Sequence, residues 1–212
     1  MICIVTALHN RATLIGPCIA SVLAQTAQDW QLVVVDDGST DGSLAASTAA
    51  AKADPRITIL SIPHTGNPGI VKDHGIRAST GPWIACLDSD DTLPPTALAQ
   101  VEGAMTAYPV AGVIYTDRLL VRSGTTFPDR INTIPWSMTA LLQRFIARQL
   151  FVFQKSLYTQ VGGFDPDLKF VDDYDLALKL SEVTTVVHLA QPLYLKGISR
   201  GVATVSNTYK VA

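Results

Sequence analysis

At 212 residues, with 48% apolar and 16% charged side chains, the chain can bury a core without disulfide or metal staples, which excludes a disordered protein. Sixteen Lys and Arg against eighteen Asp and Glu leave a formal charge of −2, too little basic excess for a nucleic-acid footprint. Mean hydropathy is +0.26, but the longest uncharged stretch, 12–28, is interrupted by Gly16-Pro17, Gln25 and Gln28, so nothing reads as membrane-spanning and only peripheral association stays open.

The opening residues Met1 to Thr6 lack a basic region ahead of their apolar run. They read as a first strand instead of a secretory signal, which points to a cytoplasmic location. Cys3, Cys18 and Cys86 have no metal-ligand spacing and sit in apolar patterns, as reduced core thiols do.

Along the chain, a strand at 2–6 is followed by Ile15, Ile19, Val22 and Leu23 at helical spacing. The run Trp-Gln-Leu-Val-Val-Val at 30–35 is a strand covered on both faces, ending in the turn-rich Asp-Asp-Gly-Ser-Thr-Asp-Gly-Ser. A strand at 57–62, a Gly/Pro-rich loop at 63–69, a helix through about 79 and a strand at 83–87 continue the alternation, which implies a mostly parallel sheet with helices on both faces. The second half is less regular. It reads as a helix near 95–108, a strand at 111–116, a polar segment to about 135 and a helix near 137–147. A strand at 150–153, a helix near 172–181 and a strand at 184–188 follow. No linker divides the chain, so 1–212 is expected as one domain.

In such sheets ligands bind at the carboxyl ends of the strands. Asp36 and Asp37 follow the second strand, Asp88, Asp90 and Asp91 follow the fourth, and Asp172, Asp173 and Asp175 open a late helix. Carboxylates converging on one crevice repel, so they imply a bound cation, and an all-oxygen set suits Mg²⁺ or Mn²⁺. Neither a Walker-type nor a dinucleotide-type glycine loop is present, which disfavours P-loop NTPases and ordinary dehydrogenases.

Four segments in order resemble the family 2 glycosyltransferases of GT-A fold. They are "ALHNRATLIGPCIASVLAQT", "QLVVVDDGSTDGS", "GPWIACLDSDDTLPP" and "VGGFDPDLKFVDDYDLALKL", and the likeness runs from residue 2 to about 195. The resemblance implies an inverting transfer of a sugar from a nucleotide-diphosphate donor, with UDP expected, to a hydroxyl of a glycan or lipid-linked acceptor, assisted by Mn²⁺ or Mg²⁺. Residues 1–105 would form the nucleotide half and 106–212 the acceptor half.

By position, the resemblance puts Ala7, His9 and Arg11 at the nucleoside and Asp37 on the base imide, with Asp36 orienting the loop. It puts Lys72 near the base in place of the family's arginine, Asp88 on the ribose or nucleotide and Asp90 on the metal. Asp91 would cap the next helix. Asp173 would be the catalytic base and Asp172 a helix cap. Trp136 and Tyr174 are the acceptor candidates. The family's Arg-x-His-type element has no histidine here, and Ser199 and Arg200 occupy its place, with Arg200 a candidate for the diphosphate. Two rival readings are a sugar-phosphate nucleotidyltransferase and a non-catalytic nucleotide-sugar-binding protein of the same fold.

Overall fold

The computed structural model describes residues 1–129, 133–169 and 171–198. Ser199 and Arg200 lie outside the described residues. The strands β1 (Ile2–Leu8), β2 (Trp30–Asp37), β3 (Ile57–Ile62) and β4 (Trp83–Cys86) pair in parallel, in the order β3-β2-β1-β4. The connecting helices are α1 (Ile15–Leu23), α2 (Ser43–Ala51) and α3 (Pro68–Ala78), and α4 (Ala97–Ala107) follows β4. The same sheet then continues through β5 (Ala111–Arg122), β6 (Thr125–Pro128), β7 (Phe151–Gln154) and β8 (Thr185–Gly197). Antiparallel pairing enters with these later strands, where β7 joins β4 to β5 and β6 folds back on β5, while β8 runs parallel to β5.

The β-branched run at 32–35 is fully buried, as a strand covered on both faces requires. One core lies under α1 and α4, where Ile15, Ile19, Val22, Leu98 and Val101 pack on Ile4, Leu32 and Val34. The other lies under α3 and α7 (Asp172–Val183), where Ile76, Leu176 and Leu180 pack with Phe153 and Tyr158. Two short helices, α5 (Met138–Gln143) and α6 (Lys155–Gln160), complete that layer. The start of α3 has local causes: Pro68 at its first turn supplies the right φ, and the Asn67 side chain accepts from the Gly69 N–H at 3.0 Å. Midway along, a Cβ on Gly75 would lie 2.5 Å from Val5 Cγ1, so only glycine lets α3 approach β1 this closely.

The three cysteines are buried and unpaired, and burial raises the thiol pKa of Cys86 to about 12 and that of Cys18 further, which keeps both protonated. The polar segment after β5 contains the hairpin strand β6, and the expected helix at 137–147 ends at Gln143. The final strand runs to Gly197 instead of 188 because β5 supplies a partner edge along nearly its whole length. Among the described residues no helix is long and apolar enough to cross a membrane.

Candidate active site

The loops at the carboxyl ends of β1 to β4 and the N-terminus of α7 surround one open cavity of about 790 Å³. Ala7, His9, Arg11, Asp37, Lys72, Asp88, Asp90, Asp173 and Tyr174 all line it. Trp136 does not; it packs edge-on against Tyr115 with ring centroids 6.2 Å apart.

On one wall, Asp37 organises the loops after β2 and β3. Its carboxylate accepts the Thr65 N–H at 2.6 Å and the Gly66 N–H at 3.1 Å. Its backbone carbonyl accepts from His9 Nδ1 at 2.8 Å and His64 Nδ1 at 3.0 Å, which fixes both protons on Nδ1. The two imidazoles stack with centroids 4.2 Å apart, and they form a flat aromatic wall beside a carboxylate. Asp36 does orient its loop, accepting the Ser39 N–H at 3.2 Å.

On the second wall, Asp88, Asp90 and Asp91 bring a carboxylate oxygen each within 4.8 Å of one another. Their environments differ. Asp91 is buried and accepts the Tyr194 hydroxyl at 2.6 Å and the Gly197 N–H at 2.8 Å, with Lys196 at 3.4 Å. It therefore ties the loop to β8 and does not cap α4, which starts six residues later at Ala97 after Thr96. Burial pushes the Asp91 carboxyl up to about 7, against the pull of Lys196. Burial also opposes the Lys196 charge, but Asp88 and Asp91 outweigh it and raise its pKa. Asp88 accepts from Gln149 Nε2 at 3.4 Å and faces Lys196 at 3.7 Å. Asp90 makes no hydrogen bond among the described residues and has a single cation, Arg11 Nε, at 4.0 Å.

Across the cavity, Lys72 reaches from α3 to α7. Its Nζ lies 3.0 Å from Asp172 Oδ2 and 2.6 Å from Asp173 Oδ1. Burial disfavours the ammonium, yet Asp173 and Asp172 more than compensate and hold its pKa well above the ordinary value. Burial drives the Asp173 carboxyl the other way, up to about 6, although Lys72 resists the shift. Asp172 is not the cap expected for α7: the N-cap is Val171 and no side chain caps the helix, because the Asp172 carboxylate is turned into the protein toward Lys72. Tyr174 donates to Leu141 O at 2.6 Å and stacks on Phe145.

Sequence reasoning did not single out His64, Arg118, Arg148, Gln149 or Lys196, which line the same cavity. His64 sits in the loop after the third strand, where a ligand-facing residue is expected on topological grounds. Arg118 and Lys196 enter through the β5–β8 pairing, and Arg148 and Gln149 through an irregular segment, which carry no periodic signal.

This cavity lies at the carboxyl edge of a parallel half-sheet, where open α/β sheets bind their ligands, with an acidic cluster beside it. A family model described as glycosyl transferase family 2 matches residues 3–162, and the chain belongs to that family. It is 33% identical over 203 residues to the O-antigen biosynthesis protein RfbC of Myxococcus xanthus, a match covering 92% of this chain and 16% of that protein. To the chondroitin synthase of Pasteurella multocida strain Pm70 it is 30% identical over 187 residues, covering 88% and 19%. The chain thus spans less than a quarter of these curated relatives. Among solved structures, S. aureus TarS 1-349 in complex with UDP-GlcNAc has a TM-score of 0.82 at 18% identity, covering 98% of this chain and 61% of that one. A mannosyltransferase, PcManGT from Pyrobaculum calidifontis, in complex with GDP-Man and Mn²⁺, has a TM-score of 0.76 at 19% identity, covering 95% and 58%. The fold is therefore that of GT-A glycosyltransferases.

Proposed function

We propose that the protein is an inverting glycosyltransferase that moves a sugar from a UDP-sugar to a hydroxyl of a glycan or lipid-linked acceptor, in polysaccharide assembly on the cytoplasmic side. The observation that carries the reading is that one cavity holds the Asp37 carboxylate, an acidic cluster in which Asp90 has only the distant Arg11 as partner, and, opposite them, Asp173. The printed names of the relatives, an O-antigen biosynthesis protein and a chondroitin synthase, support polysaccharide assembly.

In this reading the uracil edge meets Asp37, and the stacked pair of His9 and His64 lies on one side of the ring. Ala7 lets the nucleoside approach the end of β1, Asp88 contacts the ribose, and Arg11 sits where it offsets phosphate charge. A divalent cation fits the residues present: three carboxylates share the site, Asp91 is already engaged by Tyr194 and Gly197, and Asp90 is met only by Arg11 at 4.0 Å. Asp90 and Asp88 would hold Mn²⁺ or Mg²⁺, whose chemistry there is neutralisation of diphosphate charge.

Asp173 then accepts the acceptor hydroxyl proton as that oxygen bonds to the anomeric carbon and the bond from that carbon to the diphosphate oxygen breaks. A carboxyl near 6 is matched to this task, because it is ionised at neutral pH yet remains basic enough to take a proton. Lys72 holds Asp173 in place rather than touching the nucleobase, and Tyr174 with Phe145 forms an aromatic shelf on the acceptor side.

Calorimetry of UDP with and without Mn²⁺ tests the donor half. Affinity should fall on chelation and on Asp90→Ala, and unchanged affinity in both removes Asp90 from the metal role. Transfer assays test the other half: Asp173→Asn should lower turnover by about 10²–10⁴ while UDP binding and melting stay near wild type. If Asp172→Asn abolishes transfer and Asp173→Asn does not, the two aspartates exchange roles.

A further inference from the structure

The cations around the cavity are not equally neutralised. Lys72 has Asp172 and Asp173, Lys196 has Asp91 and Asp88, and Arg11 faces Asp90. Arg118 places Nε and Nη2 on Asp129 Oδ2 at 2.7 and 2.6 Å. Arg148 is left with the same Asp129 oxygen at 3.8 Å, a carboxylate already taken by Arg118 at much shorter range. Its Nε donates to Phe145 O at 3.0 Å, so the guanidinium is fixed in direction while its two terminal nitrogens make no hydrogen bond among the described residues. About a quarter of the side chain is exposed, and that part lines the cavity. Burial, first, and then the neighbouring Arg118 lower its pKa, the signature of a cation held with too little compensating charge.

Resting on the glycosyltransferase reading above, we propose that Arg148 is a carboxylate-recognition residue of the sugar subsite and that one of the two sugars handled here is a uronic acid. The guanidinium fork donates two parallel hydrogen bonds to a planar carboxylate, geometry that a lysine or amide cannot reproduce. Position separates this subsite from the diphosphate: Arg148 borders a second, small pocket with Phe145 and Asp173, on the side of the proposed base, whereas Arg11 and Lys196 attend the acidic cluster. Charge favours a carboxylate over a phosphate monoester. Arg118 and Arg148 share the single Asp129 carboxylate, so one positive charge is left to balance one negative charge, and a monoester dianion would leave its second charge uncompensated. The carboxylate can come from the donor, as in UDP-glucuronate, or from the sugar that ends the acceptor.

Two titration arms distinguish the sources. In the first, calorimetry in Mn²⁺ compares UDP-glucuronate, UDP-glucose and UDP on wild type, Arg148→Gln and Arg148→Lys. In the second, UDP and Mn²⁺ are held constant, and an oligosaccharide ending in glucuronate is compared with its glucose-ended counterpart. The expected result is a preference of about tenfold or more for the carboxylate ligand in one arm. It should vanish in Arg148→Gln and be weaker in Arg148→Lys, with UDP affinity unchanged throughout. Absence of the preference in both arms for the wild type overturns the proposal without any variant. Equal weakening of UDP and UDP-glucuronate in a variant that melts normally also overturns it, because Arg148 would then serve the diphosphate. Failure of wild type to bind UDP at all refutes the donor reading itself, a result distinct from either.

Discussion

Replacing Lys72 by methionine separates two accounts of the same cation. If Lys72 served the nucleobase, its loss would weaken UDP binding and little else. In the structure it instead neutralises two adjacent carboxylates, at 3.0 and 2.6 Å, and both Lys72 and Asp172 are almost wholly buried. Removing one member of a buried ion pair costs about 3–5 kcal/mol, and the partial exposure of Asp173 argues for the lower end, about 3 kcal/mol at pH 7. For a chain of this length that lowers the melting temperature by about 6–12 °C. The deficit has a pH sign. Without Lys72 the Asp173 carboxyl, already raised by burial, loses the charge that opposes the rise, so its part of the penalty is full above the folded-state value and fades as pH falls through it. Melting at pH 7 and pH 5 should therefore show a large gap from wild type at the first and a small one at the second. Transfer should weaken as well, because Asp173 loses the charge that resists its upward shift, and the acid limb of the rate profile should move to higher pH by about one unit or more. A Lys72→Met variant with wild-type melting, an unmoved rate profile and a tenfold loss of UDP affinity would refute the assignment and return Lys72 to the nucleotide.

Further outcomes follow from the same geometry. With the Asp173 carboxyl raised to about 6, kcat/KM should be level above that pH and fall tenfold for each unit below it, since only the ionised form takes the proton; a profile flat down to pH 5 would exclude Asp173 as the base. A Cβ on Gly197 would lie 2.8 Å from the Asp90 carbonyl oxygen, so Gly197→Ala must push the acidic loop away from β8. We expect a loss of about 1–3 kcal/mol in melting experiments, together with a smaller gain in UDP affinity on adding Mn²⁺. Tyr194→Phe removes the hydroxyl that donates to Asp91 at 2.6 Å and leaves that carboxylate a poorer anchor, so it should reproduce the Gly197→Ala phenotype in milder form.

The parallel half of the fold was legible because its signals are local. The buried run at 30–35 leads into Asp36 and Asp37 at its strand's carboxyl end, Asn67-Pro68 starts a helix, and Asp88 comes two residues after another strand. What escaped reading depends on contacts far apart in sequence. Strand β8 runs on to Gly197 only because β5 lies beside it, and that pairing carries Lys196 to Asp88 and Asp91, residues more than a hundred positions earlier. The expectation that Asp172 and Asp91 are caps failed for the same reason. Aspartate at a helix start has a strong local preference for capping. A buried lysine brought from α3 in one case, and a buried tyrosine and a backbone N–H from β8 in the other, offer stronger partners to a carboxylate turned inward.

This distribution of partners also accounts for why a site with so many carboxylates is stable before any ligand arrives. Two acidic groups crowd the cavity from opposite sides, and each is given its own lysine from a distant element: Lys196 for Asp88 and Asp91, Lys72 for Asp172 and Asp173. Were those lysines shared or exposed, burial would drive more of the carboxyl groups to their neutral forms and the site would lose the charge it needs. Asp90 is left out of both arrangements, with only Arg11 at 4.0 Å. Its negative charge is therefore the least compensated in the acidic loop, and a divalent cation entering the cavity would gain most there while competing only with long contacts, Arg11 at 4.0 Å and, at Asp88, Lys196 at 3.7 Å. Among the described cations that line the cavity, Arg148 has only a carboxylate oxygen that Arg118 already holds at shorter range, so Asp90 and Arg148 each keep a weak partner where substrate charge is expected.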